Sequence, residues 1–267
     1  IGDPGYPCAR RDEASVLVTT TPEFQSYLNF PPILRMLKVA SDGAGEELDL
    51  IKMSSLYGTL FIEETYYPNN ISTWYPWYPP IRDLMKQVVA DLDDFKDGIG
   101  LTDPVVRGID TSFEIKKFRG GAFTRSINGH FKQKIDLIQG RSNNTFYTNL
   151  KYFVVSAHDT TVAAYLALLG AKQHVLPSGG YPQYSSCVLT ELFQDDQTGE
   201  FTFKIFFHSS ADVDFDEITQ FVDGCSDATD AGCPYSVFDA LAQKYDPGDI
   251  ASTCQEPLFP TTTTTAA

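Results

Sequence analysis

Tyr152-Phe153-Val154-Val155-Ser156-Ala157-His158-Asp159-Thr160-Thr161-Val162 changes character twice. A short apolar run bounded by polar residues reads as a buried strand from Lys151 to Ser156. The residues from Thr160 to Leu169 then read as a helix stopped by Gly170. A strand feeding a helix implies an α/β core whose sheet includes the His158 strand. In open α/β sheets ligands bind beyond the carboxyl ends of the strands, where His158 and Asp159 fall. The first turn of a helix offers unpaired backbone N–H groups and the positive end of the macrodipole, so the junction can hold an anion. By spacing alone, the cluster reads more readily as a plain cap, with Asp159 or Thr160 accepting backbone N–H groups.

Downstream, strands are expected at about Ser186 to Phe193 and Glu200 to Phe207, joined as a hairpin through Asp195-Asp196-Gln197-Thr198-Gly199. Upstream the pattern is helical. Ile33, Leu34, Leu37 and Val39 form a short apolar face, and Leu56, Leu60 and Ile62 belong to a later run. Pro79-Pro80 is a helix-start signal before Ile81, Leu84, Met85, Val88, Val89, Leu92 and Phe95, with Gly98 and Gly100 as stops. Gly120-Gly121 precedes another helical pattern through Phe123, Ile127, Phe131, Ile135 and Ile138, ended by Gly140. The chain therefore divides into a mostly helical inserted domain (1–145), the C-terminal part of an α/β sheet core (146–255) and a disordered Thr-rich tail (256–267).

The chain has 267 residues, enough for a sizeable core, and carries a net charge of −15. Its Lys and Arg are scattered, which argues against nucleic acid, because a phosphate backbone is bound through clustered cations. No apolar run is long enough to span a bilayer. The acidic balance suits an acidic compartment and serves solubility equally well. There are five cysteines. Cys225 and Cys233 bound a polar, Gly-bordered loop that can close on itself as a disulfide. The absence of a Cys-x-x-Cys pair and the spacing of the histidines make a zinc site a poor reading. The triplets beginning at Asn70 and Asn143 are glycosylation acceptors in polar stretches. With the cysteines they favour a secreted, lysosomal or cell-surface location. Pro260 and the threonines after it resemble an O-glycosylated stalk, to which a membrane anchor could be joined.

Val155-Ser156-Ala157-His158-Asp159-Thr160-Thr161-Val162 resembles the second catalytic motif of the histidine acid phosphatases, in the branch of the prostatic and lysosomal enzymes. The resemblance continues through Tyr184-Ser185-Ser186-Cys187-Val188-Leu189-Thr190-Glu191-Leu192 and through Cys225, Cys233-Pro234 and Cys254. It extends more loosely to Cys8-Ala9-Arg10-Arg11 and Arg119-Gly120-Gly121. It implies a metal-free hydrolysis of small phosphomonoesters through a phosphohistidine. His158 would donate to a phosphate oxygen, and Asp159 would protonate the leaving alcohol and later activate water. It also implies a Cys8–Cys254 disulfide, and a homodimer is compatible with it. The family's partner for Cys187 would lie around Asn70 to Pro80, where this sequence has no cysteine, so Cys187 is expected to be a buried free thiol on a strand.

The family's nucleophile motif, Arg-His-Gly-x-Arg-x-Pro, is not found, and no Arg-His pair occurs anywhere. The expectation is a fragment, inactive by itself, of a longer phosphatase. The alternative is a catalytically inactive phosphatase-fold protein that binds ligands or partners. A phytase or sugar-phosphatase relative fits less well, because Ser156-Ala157 and Thr160-Thr161 flank the His-Asp pair. The remaining candidates read as structural: His130 on a helix beside Phe131, His174 in a loop, His208 at a strand end and Arg119 before two glycines. Trp74 to Pro80 reads as packing around an irregular loop.

Overall fold

Several helices of the first half begin at prolines or at side chains that accept an amide hydrogen. The computed structural model describes residues 5–176 and 182–259. Helix α1 (Ala9–Thr19) leads to α2 (Pro22–Leu28), capped by the Thr21 hydroxyl accepting from the Phe24 N–H. Helix α3 (Pro31–Ala44) opens on two prolines and closes at Gly45 in the left-handed region, φ 75°. Asp49 accepts from the Lys52 N–H at 2.8 Å to start α4 (Leu50–Tyr66). These are the residue types that helix starts and stops select. Short α5 (Ile71–Trp74) precedes α6 (Arg82–Lys96), the helix read after Pro79-Pro80.

These helices share a core of Ile33, Met36, Met53, Leu60, Ile71, Tyr78, Met85 and Val88. The buried face of α3 is Ile33, Met36 and Ala40, whereas Leu34 and Val39 point outward. Spacing of three and four decides this, and neither Leu34 nor Val39 keeps it relative to Ile33. Ile62 is likewise exposed, while Leu60 is buried. The aromatic stretch after α5 is indeed packing. Tyr78 is fully buried, and Trp77 covers Gly43, where an added Cβ would come within 2.4 Å of the indole.

Strands β1 (Val105–Val106) and β2 (Ile109–Asp110) form a small hairpin. Asp110 caps α7 (Thr111–Lys116), accepting from the Phe113 N–H at 2.9 Å. A π-helical turn, Lys117–Gly121, then joins α7 directly to α8 (Ala122–Ile138). The helix thus runs through Gly120-Gly121 and does not start after them. Both glycines are there for close approach. A Cβ on Gly120 would lie 3.0 Å from the Ala164 carbonyl, and one on Gly121 only 1.9 Å from that of Tyr245.

The second half contains α9 (Asp159–Leu169), α10 (Lys172–Val175), β3 (Cys187–Gln194), β4 (Phe201–His208), β5 (Asp216–Glu217), β6 (Cys233–Pro234), α11 (Tyr235–Lys244) and α12 (Ile250–Thr253). Helix α9 stops at Gly170 in the left-handed region, φ 85°. β3 and β4 pair antiparallel from Cys187–His208 to Gln194–Phe201, one residue along from the expected bounds. β5 and β6 also pair with β4, antiparallel, so the chain combines helices with an antiparallel sheet. Alternate residues Phe203, Ile205 and Phe207 point from β4 into a core shared with α9 and α11. Phe113, Phe123, Ile127 and Phe131, from α7 and α8, pack against that core.

The strand expected before His158 does not form. Lys151 to Ser156 is extended but belongs to no sheet, and Tyr152, Phe153, Val154 and Val155 are 70%, 50%, 66% and 47% exposed. A strand exists only as one side of a ladder. β3 pairs with β4, and no described residue offers a ladder to this run. Apolar composition reports what a segment would bury and leaves open what it has to bury against.

Both expected disulfides are formed, Cys8–Cys254 and Cys225–Cys233. The first joins α1 to α12 across 246 residues, reinforced by the Arg10 N–H donating to the Cys254 carbonyl at 3.1 Å. For a loop this long, closure entropy alone amounts to roughly 5 kcal/mol. Cys187 is free, as expected, but exposed and not buried. It opens β3 opposite His208, at the uncovered end of the hairpin. Of the 256–267 tail, Pro260 onward lies outside the described residues. Just before it Leu258 is buried, and its N–H donates to Glu13 Oε2 at 2.8 Å.

Candidate active site

Helix α9 is apolar almost all round, and from Ala163 to Leu169 every residue is buried. Such a helix is a fixed element of the core. Its one exposed end is the N-terminus, which carries His158 and Asp159, both open to solvent. His158 is the N-cap residue, with extended backbone (φ −79°, ψ 161°), and its side chain accepts no capping hydrogen bond. Its carbonyl takes the N–H groups of Thr161 and Val162 at 3.0 and 3.2 Å. Asp159 Oδ1 accepts from the Thr160 N–H at 2.6 Å. The capping reading therefore holds for one Asp159 oxygen, while the His158 ring is left for other work.

The approach to this end is held by α8. His130 Nδ1 lies 2.9 Å from the Tyr147 hydroxyl, and its ring stacks obliquely on Phe153 with centroids 4.0 Å apart. Lys134 Nζ donates to the carbonyls of Tyr147 (2.8 Å) and Leu150 (3.2 Å). His130 is thus a packed histidine that steers the segment leading to His158. His174 lies on the short helix α10, not in a loop, and stacks on Phe221. His208 ends β4 with Nδ1 3.3 Å from the Ser185 carbonyl and its ring against Phe215.

Arg119 is occupied by structure. Its Nε donates to Asp97 Oδ1 at 2.7 Å. Asp97 Oδ2 accepts from Lys172 Nζ at 2.7 Å, and Lys172 also meets Asp94 Oδ1 at 2.7 Å. Asp97 and Lys172 are almost fully buried. Burial pulls the Lys172 ammonium toward a lower pKa, but Asp97 and Asp94 outweigh it and hold it above the ordinary lysine value. This cluster ties α6 to the π-helical turn and to α10. Sequence reasoning missed it, because its members are up to 78 positions apart, from Asp94 to Lys172, and each looks like an ordinary surface charge. Likewise Arg10 forks onto both carboxylate oxygens of Glu114, at 2.8 and 2.9 Å.

Residues 6–208 match the family described as histidine phosphatase superfamily (branch 2), and the chain belongs to that superfamily. It is 26% identical over 260 residues to "Putative acid phosphatase 10" of Caenorhabditis elegans, covering 93% of this chain and 60% of that protein. It is 28% identical over 201 residues to "Putative acid phosphatase 11" of the same organism, covering 73% of this chain and 48% of that protein. Against "Lysosomal acid phosphatase" of Bos taurus it is 27% identical over 257 residues, 93% of this chain and 51% of that protein. The chain spans about half to three fifths of the length of these relatives.

Proposed function

We propose that this chain is the C-terminal part of an acid phosphatase that hydrolyses small phosphomonoesters through a phosphohistidine. The observation that carries the reading is an exposed His-Asp pair at the N-terminus of a buried helix, in a chain of the histidine phosphatase superfamily. A histidine from the preceding part of the protein attacks phosphorus and the bond to the alcohol oxygen breaks. Asp159 gives that oxygen its proton. His158 donates to a phosphate oxygen and stabilises the charge of the transition state. Asp159, now a carboxylate, then takes a proton from the water that attacks the phosphohistidine, releasing phosphate and restoring both groups.

In this reading the exposed, extended run Tyr152 to Val155 becomes a strand when the preceding part of the protein supplies its ladder, and 1–145 is the inserted helical domain. The disulfides and the exposed Asn70 and Asn143 suit a secreted or lysosomal glycoprotein. Among the described residues no helix is long and apolar enough to cross a membrane. The test is an acid-pH assay of the longest natural protein containing the chain. Hydrolysis of a simple phosphomonoester is expected, with His158→Ala lowering kcat/KM by roughly 10²–10³. A folded protein with no hydrolysis would hand the site to the alternative, a binding protein.

A further inference from the structure

At the other end of α9, away from His158, lies a cleft of about 400 Å³. One wall is the loop Gly98 to Thr102 after α6. The others are Ser112 and Lys116 of α7, and Ala167, Gly170 and Gln173 at the end of α9 and the start of α10. Ser112 and Lys116 stand four residues apart, so they share one face of their helix. The other polar groups nearby are committed. Thr102 gives its N–H and hydroxyl to Glu23, while Lys172 and Arg119 are held by Asp97 and Asp94. The side chains of Ser112, Lys116 and Gln173 have no hydrogen bond or ion pair with any described residue.

Among the described residues, Lys116 is the one charged residue lining the cleft, in a chain whose net charge is −15. It is half-buried, and burial lowers its pKa from the ordinary lysine value. Asp223, Asp110 and Asp97 act on it in the opposite sense, and Lys244 in the same sense. An ammonium partly withdrawn from water, with no described residue hydrogen-bonded to it, costs free energy that a bound anion would recover. We propose that this cleft binds a small oxyanion, phosphate or carboxylate, through Lys116 Nζ, with the Ser112 hydroxyl and the Gln173 amide as further donors. It is a second site, separated from His158 by the length of α9, about 16 Å at 1.5 Å per residue. The rival occupant is the protein's own Asp223. Its carboxylate sits beside Gly170, where an added Cβ would come within 2.3 Å of Oδ1.

The experiment is a calorimetric titration of the longest natural protein containing the chain, carrying His158→Ala to weaken the proposed catalytic end, and only binding that Lys116→Gln reduces is assigned to the cleft. Inorganic phosphate and acetate are titrated separately. Saturable binding of either is expected, with Lys116→Gln weakening it roughly tenfold or more, as loss of a charge-assisted hydrogen bond should. Asp223→Asn is expected to tighten it. In the unsubstituted protein, the same anion should protect Lys116 from an amine-acetylating reagent. Saturation by phosphate alone assigns a phosphoryl ligand, and by acetate alone a carboxylate. No saturable binding, an unchanged affinity in Lys116→Gln, or no protection of Lys116 overturns the proposal.

Discussion

Replacing Asp97 by alanine is expected to cost about 3–5 kcal/mol of folding stability, the range for breaking a buried ion pair by removing one partner. Asp97 is 1% exposed and accepts from both Arg119 and Lys172 at 2.7 Å. Without it, Lys172, itself 3% exposed, keeps only Asp94, and Arg119 loses the carboxylate that its Nε meets. Against a typical domain stability of about 5–15 kcal/mol, a loss of this size is a large fraction. Lys172→Met should cost less, because it removes a cation and leaves the Arg119–Asp97 pair, with an apolar chain of similar length filling the site. Urea unfolding of the natural protein and both variants measures the difference. A loss below about 1 kcal/mol in Asp97→Ala would mean that water solvates the cluster and that it does not bind α6 to α10.

The second large effect is chemical. In the proposed mechanism Asp159→Asn removes the proton that the departing alcohol needs. The rate with alkyl phosphates should fall by roughly 10²–10⁴, the usual worth of a positioned general acid. With p-nitrophenyl phosphate the loss should be much smaller in the step that forms the phosphohistidine, because nitrophenolate leaves without a proton. The substitution suits the site. Asp159 is exposed, and the asparagine carbonyl can still accept from the Thr160 N–H that Asp159 Oδ1 now takes at 2.6 Å. The N-terminus of α9 should keep its shape. Steady-state kinetics with both substrates, and a burst of nitrophenol where dephosphorylation becomes limiting, read the split. Equal losses in kcat/KM, which reports the step that forms the phosphohistidine, with both leaving groups would assign Asp159 to shape and not to proton transfer.

Local chemistry was legible where it acts over one helical turn or one hairpin. Gly170 ends α9, Pro79-Pro80 stand just before α6, and the polar turn at Asp195 to Gly199 places β3 and β4 to within one residue. The His158-Asp159 junction was legible for the same reason, since a helix N-terminus writes itself into a few adjacent residues. Whatever depends on a distant partner was not. Val154 and Val155 look buried in sequence and are exposed in the fold, because a strand needs a ladder. Cys187 looked like a core thiol but stands at an uncovered sheet end. Gly120 and Gly121 looked like a helix boundary, yet they lie inside a π-helical turn, where their missing side chains admit the carbonyls of Ala164 and Tyr245. Lys116 and Asp97 gave no sign at all, because their surroundings are assembled from segments remote in sequence.

The central claim is that His158 and Asp159 serve a nucleophile supplied by the preceding part of the same protein. Reading the 5′ end of the transcript tests it directly. The account predicts, upstream of Ile1 and in frame with it, a secretory leader followed by Arg-His-Gly-x-Arg-x-Pro. A complete reading frame without that motif would contradict it and leave a phosphatase-fold protein that binds and does not catalyse.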